Sequence, residues 1–304
     1  WEGTTARLLR QAKGAPADAG LGLVVQAMAL GVGAGESGSG VIQLVDGMTG
    51  EPRIIGRYLG QSLANAVKPT GRGPYESATV KIFPSGRIAV FTGALAMGQG
   101  IKTSLAQICA AHFGVEPGGI DVHAGDTRHI GVGMGGFASR QAIMAGTAVE
   151  QASRQLRHKV LLAAAAVLKV PQDTLDISYG IVSSSATTTT ISLARLAMEL
   201  KGVPGYSLPI KTDPGLESTA HFHCDEQTYA GSTHACEVEV DASTGAIHIT
   251  RYLAVQDCGT LINPMIVEGQ VVGGLGPQAL KAAALFGIDL RQLRLEPTME
   301  LPQL

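Results

Sequence analysis

The sequence predicts an α+β fold in which mixed sheets pack against helices. A β-rich segment, a glycine-rich loop and a helical pattern follow one another twice, over residues 87–113 and again over 120–168. Pairs of β-rich segments also flank turn residues at 77–92 and at 174–184, which is typical of hairpins. Strands and helices interspersed in this way indicate sheets covered by helices.

Length and composition fit a globular protein with a sizeable core. The chain has 304 residues, of which 45% are hydrophobic and 16% are charged, and this length suits one large domain or two ordinary ones. The net charge of −2 comes without a basic block, so the sequence gives no support for a nucleic-acid partner. The longest apolar run, at 160–167, is too short to span a bilayer.

The four cysteines lie far apart and form no Cys-x-x-Cys pair. We therefore expect neither a zinc ribbon nor an iron–sulfur cluster bound by this chain. The thiols are interpreted as reduced core groups of a cytoplasmic protein. The chain starts at Trp1 and shows no signal peptide, so we expect a processed or partial chain in which a missing leader carries little weight.

The first glycine-rich loop spans residues 92–103 and carries one polar amide, Gln99, between Gly98 and Gly100. Glycine lets a backbone approach a ligand closely, and the first amides of the following helix point outward, unpaired. The loop is therefore a candidate binding site for a phosphate or a large polar cofactor. An ordinary strand-to-helix turn explains the same residues, and both interpretations stay open at this point.

A helix with one apolar face is predicted from residue 101 up to Gly114. The positions that form this face are Ile101, Leu105, Ile108, Cys109, His112 and Phe113. A second glycine-rich loop, at 131–140, opens a long helical pattern at 141–168. Two glycine-rich helix N-termini could converge on one polyanionic ligand, and two unrelated crossover loops are the alternative.

Three further strands are predicted at 219–222, 233–241 and 246–255, followed by a helix that starts at Asn263-Pro264. Apolar and acidic residues alternate along 233–241, which predicts a strand buried on one face only. The nearby residues His221, His223 and Cys224 resemble metal ligands. They lack the second ligand pair of a zinc site, so packed or surface side chains explain them better.

A set of short motifs follows in a fixed order: Gly71-Arg-Gly-Pro-Tyr-Glu76, Met97-Gly98-Gln99-Gly100, Gly125-Asp126-Thr127, Phe137-Ala138-Ser139-Arg140, Glu237-Val-Glu239-Val-Asp241, Asp257-Cys-Gly259, Ile262-Asn263-Pro264-Met265-Ile266 and Val267-Glu268-Gly269-Gln270-Val271. Together they resemble the molybdenum hydroxylases, the family of xanthine dehydrogenase, aldehyde oxidase and aerobic carbon monoxide dehydrogenase. No single motif is specific, and the resemblance depends on their order and spacing over residues 56–274.

The resemblance implies an α+β molybdopterin-binding domain of the xanthine dehydrogenase type with two subdomains, forming the second cofactor-binding half of a large catalytic subunit. This domain would occupy 71–285, after a poorly defined N-terminal segment at 1–70 and before a divergent tail at 286–304. The implied cofactor-binding residues are Gly98, Gln99, Gly100, Phe137, Ala138, Ser139, Arg140 and Gln270. Family members hold the metal only through the dithiolene of the pterin, so no protein ligand to molybdenum is implied.

By the same resemblance, the cofactor is molybdopterin with molybdenum, in the cytosine dinucleotide form of bacterial three-subunit members. The implied reaction is the oxidative hydroxylation of a heteroaromatic, an aldehyde or CO, with water as the oxygen source. The implied partners are the remaining half of the large subunit, an iron–sulfur subunit and a flavin subunit that carries FAD.

Two departures from the family pattern limit this interpretation. The family's catalytic glutamate lies in a Gly-Glu-Ala or Gly-Glu-Pro motif, and neither Glu296 nor Glu300 has that context, so we assign no catalytic residue. The family's first cofactor-binding half, with its Gly-Phe-Gly-Gly loop, is also missing. We expect a chain that needs another segment or chain to act, or alternatively a non-catalytic, degenerate binding or scaffold module of the same fold.

Overall fold

The computed structural model describes residues 43–45, 52–55, 57–211, 213–241 and 247–286. Most of the N-terminal segment 1–70 and nearly all of the tail 286–304 lie outside these residues. The strands are β1 (Gln43–Val45), β2 (Pro52–Ile55), β3 (Arg57–Thr70), β4 (Glu76–Ile82), β5 (Ile88–Thr92), β6 (Ile120–Ala124), β7 (Leu175–Ser178), β8 (Ile181–Ser184), β9 (Thr190–Ser192), β10 (Leu216–Phe222), β11 (Thr228–Asp241) and β12 (Ile247–Asp257). The helices are α1 (Ile101–Phe113), α2 (Gln141–Leu168), α3 (Leu193–Glu199) and α4 (Pro264–Phe286).

The described residues divide into two compact units. The first unit holds Pro69–Thr228 together with Ile262–Ile266. The second holds the described residues before position 69, Tyr229–Leu261 and the described residues from Val267 onward. The predicted α+β fold with mixed sheets, packed helices and two subdomains is confirmed, whereas the boundaries 1–70, 71–285 and 286–304 remain predictions.

A four-stranded sheet in the order β10-β4-β5-β6 is the centre of the first unit. β4 and β5 form the predicted antiparallel hairpin, closed by a turn in which Gly86 N donates to Phe83 O at 2.8 Å. β5 and β6 run parallel, because the chain returns through α1 before it re-enters the sheet. The glycine-rich residues that follow β5 therefore leave the sheet at the carboxyl end of a strand.

The core of this unit lies between the sheet and the helices α1 and α2, which also contact each other. The predicted apolar face of α1 is confirmed, since Ile101, Leu105, Cys109 and Phe113 are buried. The helix ends at Gly114, which adopts a left-handed φ of 59°. His112 is half-buried on the same face, as predicted for a packed histidine, and burial lowers its pKa.

The predicted hairpin around Gly180 is confirmed as the antiparallel pair β7 and β8, to which β9 adds a third strand. The short helix α3 follows directly. Ser192 caps its N-terminus, since the Ser192 hydroxyl accepts from Arg195 N at 3.2 Å. Tyr179 N donates to Gly114 O at 2.7 Å, so this small sheet contacts the C-terminal end of α1.

The second unit contains a sheet in the order β12-β11-β3. The prediction that 233–241 is buried on one face only is wrong, since all residues of 231–240 are partly buried. The pairing of β11 with β12 shifts between Glu237 and Val238, which is the signature of a β-bulge. A bulge shifts the alternation of side chains at one point of the bulged strand, so it reverses the faces of the residues after that point relative to those before it.

The helix predicted to start at Asn263-Pro264 is confirmed as α4. The side-chain oxygen of Asn263 accepts from Ile266 N at 3.1 Å, which caps the helix. The amide nitrogen of Asn263 donates to Gln107 Oε1 at 2.9 Å and so ties this start to α1. Across the residues described by the structure, no helix is both long enough and apolar enough to cross a membrane.

Candidate functional site

The first of two glycine-rich loops, here called loop A (residues 93–100), joins β5 to α1. Thr92 fixes its entry, because the Thr92 hydroxyl donates to Ser77 O at 3.0 Å and accepts from Ala94 N at 3.3 Å. Gly98 and Gly100 adopt φ angles of 91° and 78°, which favour glycine. Loop A therefore leaves the sheet on a fixed path and then turns through conformations that other residues rarely adopt.

Gln99 folds its side chain back over loop A. Its Oε1 accepts from Met97 N at 2.7 Å, and its Nε2 donates to Leu95 O at 2.8 Å. An amide side chain has two donor hydrogens and two acceptor lone pairs. Each end of Gln99 therefore keeps one hydrogen-bonding position for a ligand after these two bonds are made.

The second glycine-rich loop, here called loop B (residues 131–140), leads into α2. Two consecutive residues, Ala138 and Ser139, have left-handed φ angles of 48° and 54°. Such a conformation costs a residue with a Cβ atom roughly 1–2 kcal/mol, and strain of this kind tends to concentrate where ligands bind. The predicted site residues Ala138 and Ser139 are therefore the most strained part of loop B.

Loops A and B touch through backbone atoms. A Cβ atom built on Gly93 would lie 2.4 Å from Gly133 Cα and 2.5 Å from Glu76 Oε1. A Cβ atom built on Gly133 would in turn lie 2.5 Å from Gly93 Cα. Since real Cβ atoms do not approach other atoms this closely, the contact requires glycine at both positions. The structure thus brings together the two loops that sequence analysis left as either convergent or unrelated.

Arg140, at the end of loop B, is almost fully buried, and its side chain binds other groups of the protein. Its guanidinium donates to the carboxylate of Glu76 at 2.7 Å and to the carbonyls of Arg72, Tyr75 and Gly135 at 2.7, 2.6 and 2.8 Å. It also lies over the ring of Phe137, 5.3 Å from the centroid. These contacts occupy the guanidinium of Arg140. Only its backbone therefore remains to bind a ligand, and its side chain fixes the shape of loop B.

Sequence analysis did not single out two residues that organise this region, Glu76 and Gln141. The side chain of Glu76 is fully buried and receives both Arg140 and Ser77 N, the latter at 3.1 Å. Gln141 is the first residue of α2, and its Oε1 accepts from Leu95 N at 2.8 Å. Their positions were the available signal, since Glu76 ends the motif Gly71 to Glu76 and Gln141 directly follows the motif Phe137 to Arg140.

The two loops are electrically neutral apart from the buried Arg140. They lead into α1 and α2, whose first residues have no side-chain cap, so their backbone amides remain donors. Neutral amides and helix N-termini favour a ligand with phosphate oxygens and ring heteroatoms over a simple cation. In the described part of the chain, no three His, Cys, Asp or Glu side chains are placed to hold a metal ion.

Large apolar side chains stand exposed on both loops. They are Leu95, Met97, Val132, Met134 and Phe137, with exposed fractions from 37% to 62%. Several exposed apolar side chains on two touching loops are typical of a surface that binds a ligand or another polypeptide. The predicted site residue Phe137 belongs to this cluster.

The Gly125-Asp126-Thr127 motif lies against the start of loop A. Gly125 N donates to Thr92 O at 2.9 Å, and a Cβ atom on Gly125 would lie 3.1 Å from Leu95 Cδ1. Asp126 binds the guanidinium of Arg128 through both oxygens, and this pairing lowers the pKa of the Asp126 carboxyl. This motif therefore supports loop A and offers no carboxylate free of a cation.

The remaining predicted site residue, Gln270, is an exposed residue of α4 in the second unit. His221 and His223 are exposed on and just after β10, and Cys224 is partly exposed with its thiol directed to Glu226 O. These three side chains form no cluster around a common point in the described structure.

Comparisons with known proteins identify the family of this chain. The family model of the molybdopterin cofactor-binding domain matches residues 46–277. The chain is 34% identical to the carbon monoxide dehydrogenase large chain of Hydrogenophaga pseudoflava over 206 residues, which are 67% of this chain and 25% of that protein. It is 32% identical to the nicotine 6-hydroxylase large subunit of Paenarthrobacter nicotinovorans over 238 residues, which are 74% of this chain and 29% of that protein.

A solved structure gives the same result for the fold. Reconstituted CO dehydrogenase from Oligotropha carboxidovorans superposes with a TM-score of 0.65 at 30% identity, over 72% of this chain and 28% of that chain. The chain thus spans between a quarter and a third of the length of these relatives. It belongs to the molybdenum hydroxylase family, through the molybdopterin cofactor-binding domain of the family's large subunits.

Proposed function

We propose that this chain is the cofactor-binding portion of a molybdenum hydroxylase large subunit and that loops A and B together hold the cofactor. The observation that carries the proposal is the backbone contact between Gly93 and Gly133. This contact joins the two glycine-rich loops that lead into α1 and α2, and in this proposal both loops face one ligand. A single strand-to-helix turn would need no such partner.

The chemistry of the two loops fits molybdopterin. A pterin with a phosphate or pyrophosphate presents many acceptors and donors and needs close approach of backbone amides. Loop A offers Gly98, Gln99 and Gly100, and loop B offers Phe137, Ala138, Ser139 and the backbone of Arg140. Gln270 is assigned to the same group through the family motif around it.

In the proposed reaction, a heteroaromatic, an aldehyde or CO is hydroxylated with oxygen from water. The bound cofactor supplies the two-electron oxidation at molybdenum. The residues of this chain bind and orient the cofactor, and the apolar side chains of both loops exclude water from it. No residue here is assigned as the general base, so we propose that another segment or chain supplies a carboxylate for that step.

The partners follow from this proposal. The remaining half of the large subunit completes the site, and electrons leave through an iron–sulfur subunit and a flavin subunit with FAD. The relatives support this arrangement by name, as a large chain of a carbon monoxide dehydrogenase and a large subunit of a nicotine hydroxylase. We propose the cytosine dinucleotide form of the cofactor.

The test is the metal and nucleotide content of the chain purified from its own host with the chains that accompany it. The proposal predicts close to one molybdenum per chain and one cytidine nucleotide released on denaturation. A guanine nucleotide would correct the cofactor form alone. A complex without molybdenum and without nucleotide would overturn the proposal and favour the non-catalytic binding or scaffold module.

A further inference from the structure

The side chain of Gln141 connects the two glycine-rich loops. It projects from the first turn of α2, directly after loop B, and its Oε1 accepts from Leu95 N of loop A at 2.8 Å. The side chain is 9% exposed. This bond is part-buried and holds the backbone of loop A at Leu95 to the start of α2.

Loop B packs against the other end of the same amide. A Cβ atom on Gly136 would lie 2.2 Å from Gln141 Nε2 and 2.8 Å from the Met97 methyl group. The amide therefore lies between the backbone of Gly136 on one side and the backbone of Leu95 on the other. Removing the amide would leave a gap between the loops at this point.

The Gly93–Gly133 contact lies at the base of the two loops, where loop A leaves β5. Gln141 acts two residues further along loop A, at Leu95, which directly precedes the segment with Gln99. Leu95 also supplies the carbonyl that Gln99 Nε2 binds at 2.8 Å. A shift of Leu95 would thus be passed on directly to Gln99.

We propose that Gln141 is a positioning residue, which sets the separation of loops A and B through its bond to Leu95 N and so places Gln99 for the cofactor. This inference rests on the proposed function, because the ligand placed is the cofactor. In this role the Oε1 acceptor of Gln141 is required and its Nε2 donor is dispensable.

Two substitutions separate the acceptor from the donor. Gln141→Met keeps the length of the side chain and removes the acceptor. Gln141→Glu keeps an oxygen at the position that Leu95 N binds and replaces the amide nitrogen. Gln155→Met is the matched control, since Gln155 lies about 21 Å further along the same helix at 1.5 Å per residue. Gln155 likewise accepts a hydrogen bond, from Ser218 Oγ at 2.9 Å.

The experiment measures molybdenum per chain and amide hydrogen exchange at Leu95 in the complex from the native host. We expect Gln141→Met to exchange Leu95 N–H faster and to retain about 3- to 10-fold less molybdenum, which corresponds to the loss of one ordinary hydrogen bond. Gln141→Glu should keep both values near wild type, and so should Gln155→Met.

Three results would overturn the inference. If Gln141→Met keeps full molybdenum, Gln141 has a structural role only. If Gln141→Glu protects Leu95 yet loses molybdenum as Gln141→Met does, Gln141 binds the cofactor directly through Nε2. If the wild-type complex holds no molybdenum, the proposed function falls together with this inference, which distinguishes that failure from the other two.

Discussion

The guanidinium of Arg140 lies 2.7 Å from the carboxylate of Glu76, and both side chains are almost completely buried. The pair joins the start of β4 to the end of loop B across 64 residues of sequence. Because water is excluded, no solvent molecule replaces either partner if the ion pair is broken. This pair, with the carbonyls that Arg140 also binds, fixes the shape of loop B.

Arg140→Ala should destabilise the chain by about 3–5 kcal/mol, because it leaves the Glu76 carboxylate buried without its cation. Chemical denaturation followed by circular dichroism measures this change. Arg87→Ala is the control, since Arg87 pairs with Asp121 at the surface, and such pairs contribute about 1 kcal/mol or less. An equal decrease in the free energy of unfolding for the two variants would mean that the buried pair stabilises the chain no more than the surface pair does.

Gly133→Ala should separate the two loops, since the new Cβ atom would lie 2.5 Å from Gly93 Cα. We expect a loss of about 1–3 kcal/mol in stability, as for other overpacked sites, and lower molybdenum content in the native complex. The control is Gly131→Ala in the same loop, where an added Cβ meets no atom within 4 Å. A Gly133→Ala protein that matches Gly131→Ala in both measurements would contradict the loop contact.

Gln99→Ala should lower retention of the cofactor while the fold stays intact. Its side chain bonds only within its own exposed loop, to Leu95 O and Met97 N, so the sheet and helices do not depend on it. Molybdenum content after extended dialysis measures retention, and the melting temperature reports the fold. Unchanged molybdenum occupancy would remove Gln99 from the site.

Cys109 should resist alkylation in the folded protein. Burial raises the pKa of its thiol to about 12, with Ser153 acting weakly in the opposite direction. Iodoacetamide at pH 8, followed by peptide mass mapping, should modify the exposed Cys258 and spare Cys109. Rapid labelling of Cys109 without loss of structure would contradict its burial.

The raised pKa of the Cys109 thiol also predicts how the stability of the folded chain changes at alkaline pH. The unfolded thiol loses its proton near its ordinary pKa of 9.0, whereas the folded thiol keeps it until about 12. The folded chain therefore binds more protons over this window, and its stability should fall as the pH rises from 9 towards 12. Denaturation at pH 8 and at pH 10.5 measures this fall, and Cys109→Ala should reduce its slope.

Local patterns in the sequence were enough to predict the elements around the site. The periodicity of Ile101, Leu105 and Cys109 predicted α1, and the glycines of 93–100 and 131–140 predicted both loops. These signals come from neighbouring residues, so tertiary structure does not alter them. The alternation along 233–241 did not predict burial, because the burial of a strand depends on the surfaces that cover its two faces, which the local pattern does not contain.

Contacts between distant residues could not be predicted. Nothing in the single sequence indicates that Glu76 meets Arg140 or that Gln141 meets Leu95, since these bonds join residues 64 and 46 positions apart. Arg140 is an example of a residue whose role depends on such a distant contact. The motif placed it in the site, but its guanidinium is bound by Glu76 and three backbone carbonyls instead of remaining open to a ligand.

The central claim is that loops A and B form one binding site. Amide hydrogen exchange on the complex from the native host, compared with the same complex from a host unable to make molybdopterin, tests this claim most directly. We expect the cofactor to slow exchange at both 93–100 and 131–140, with little change in the small sheet β7-β8-β9. Equal exchange in both loops with and without the cofactor, or protection of one loop alone, would contradict it.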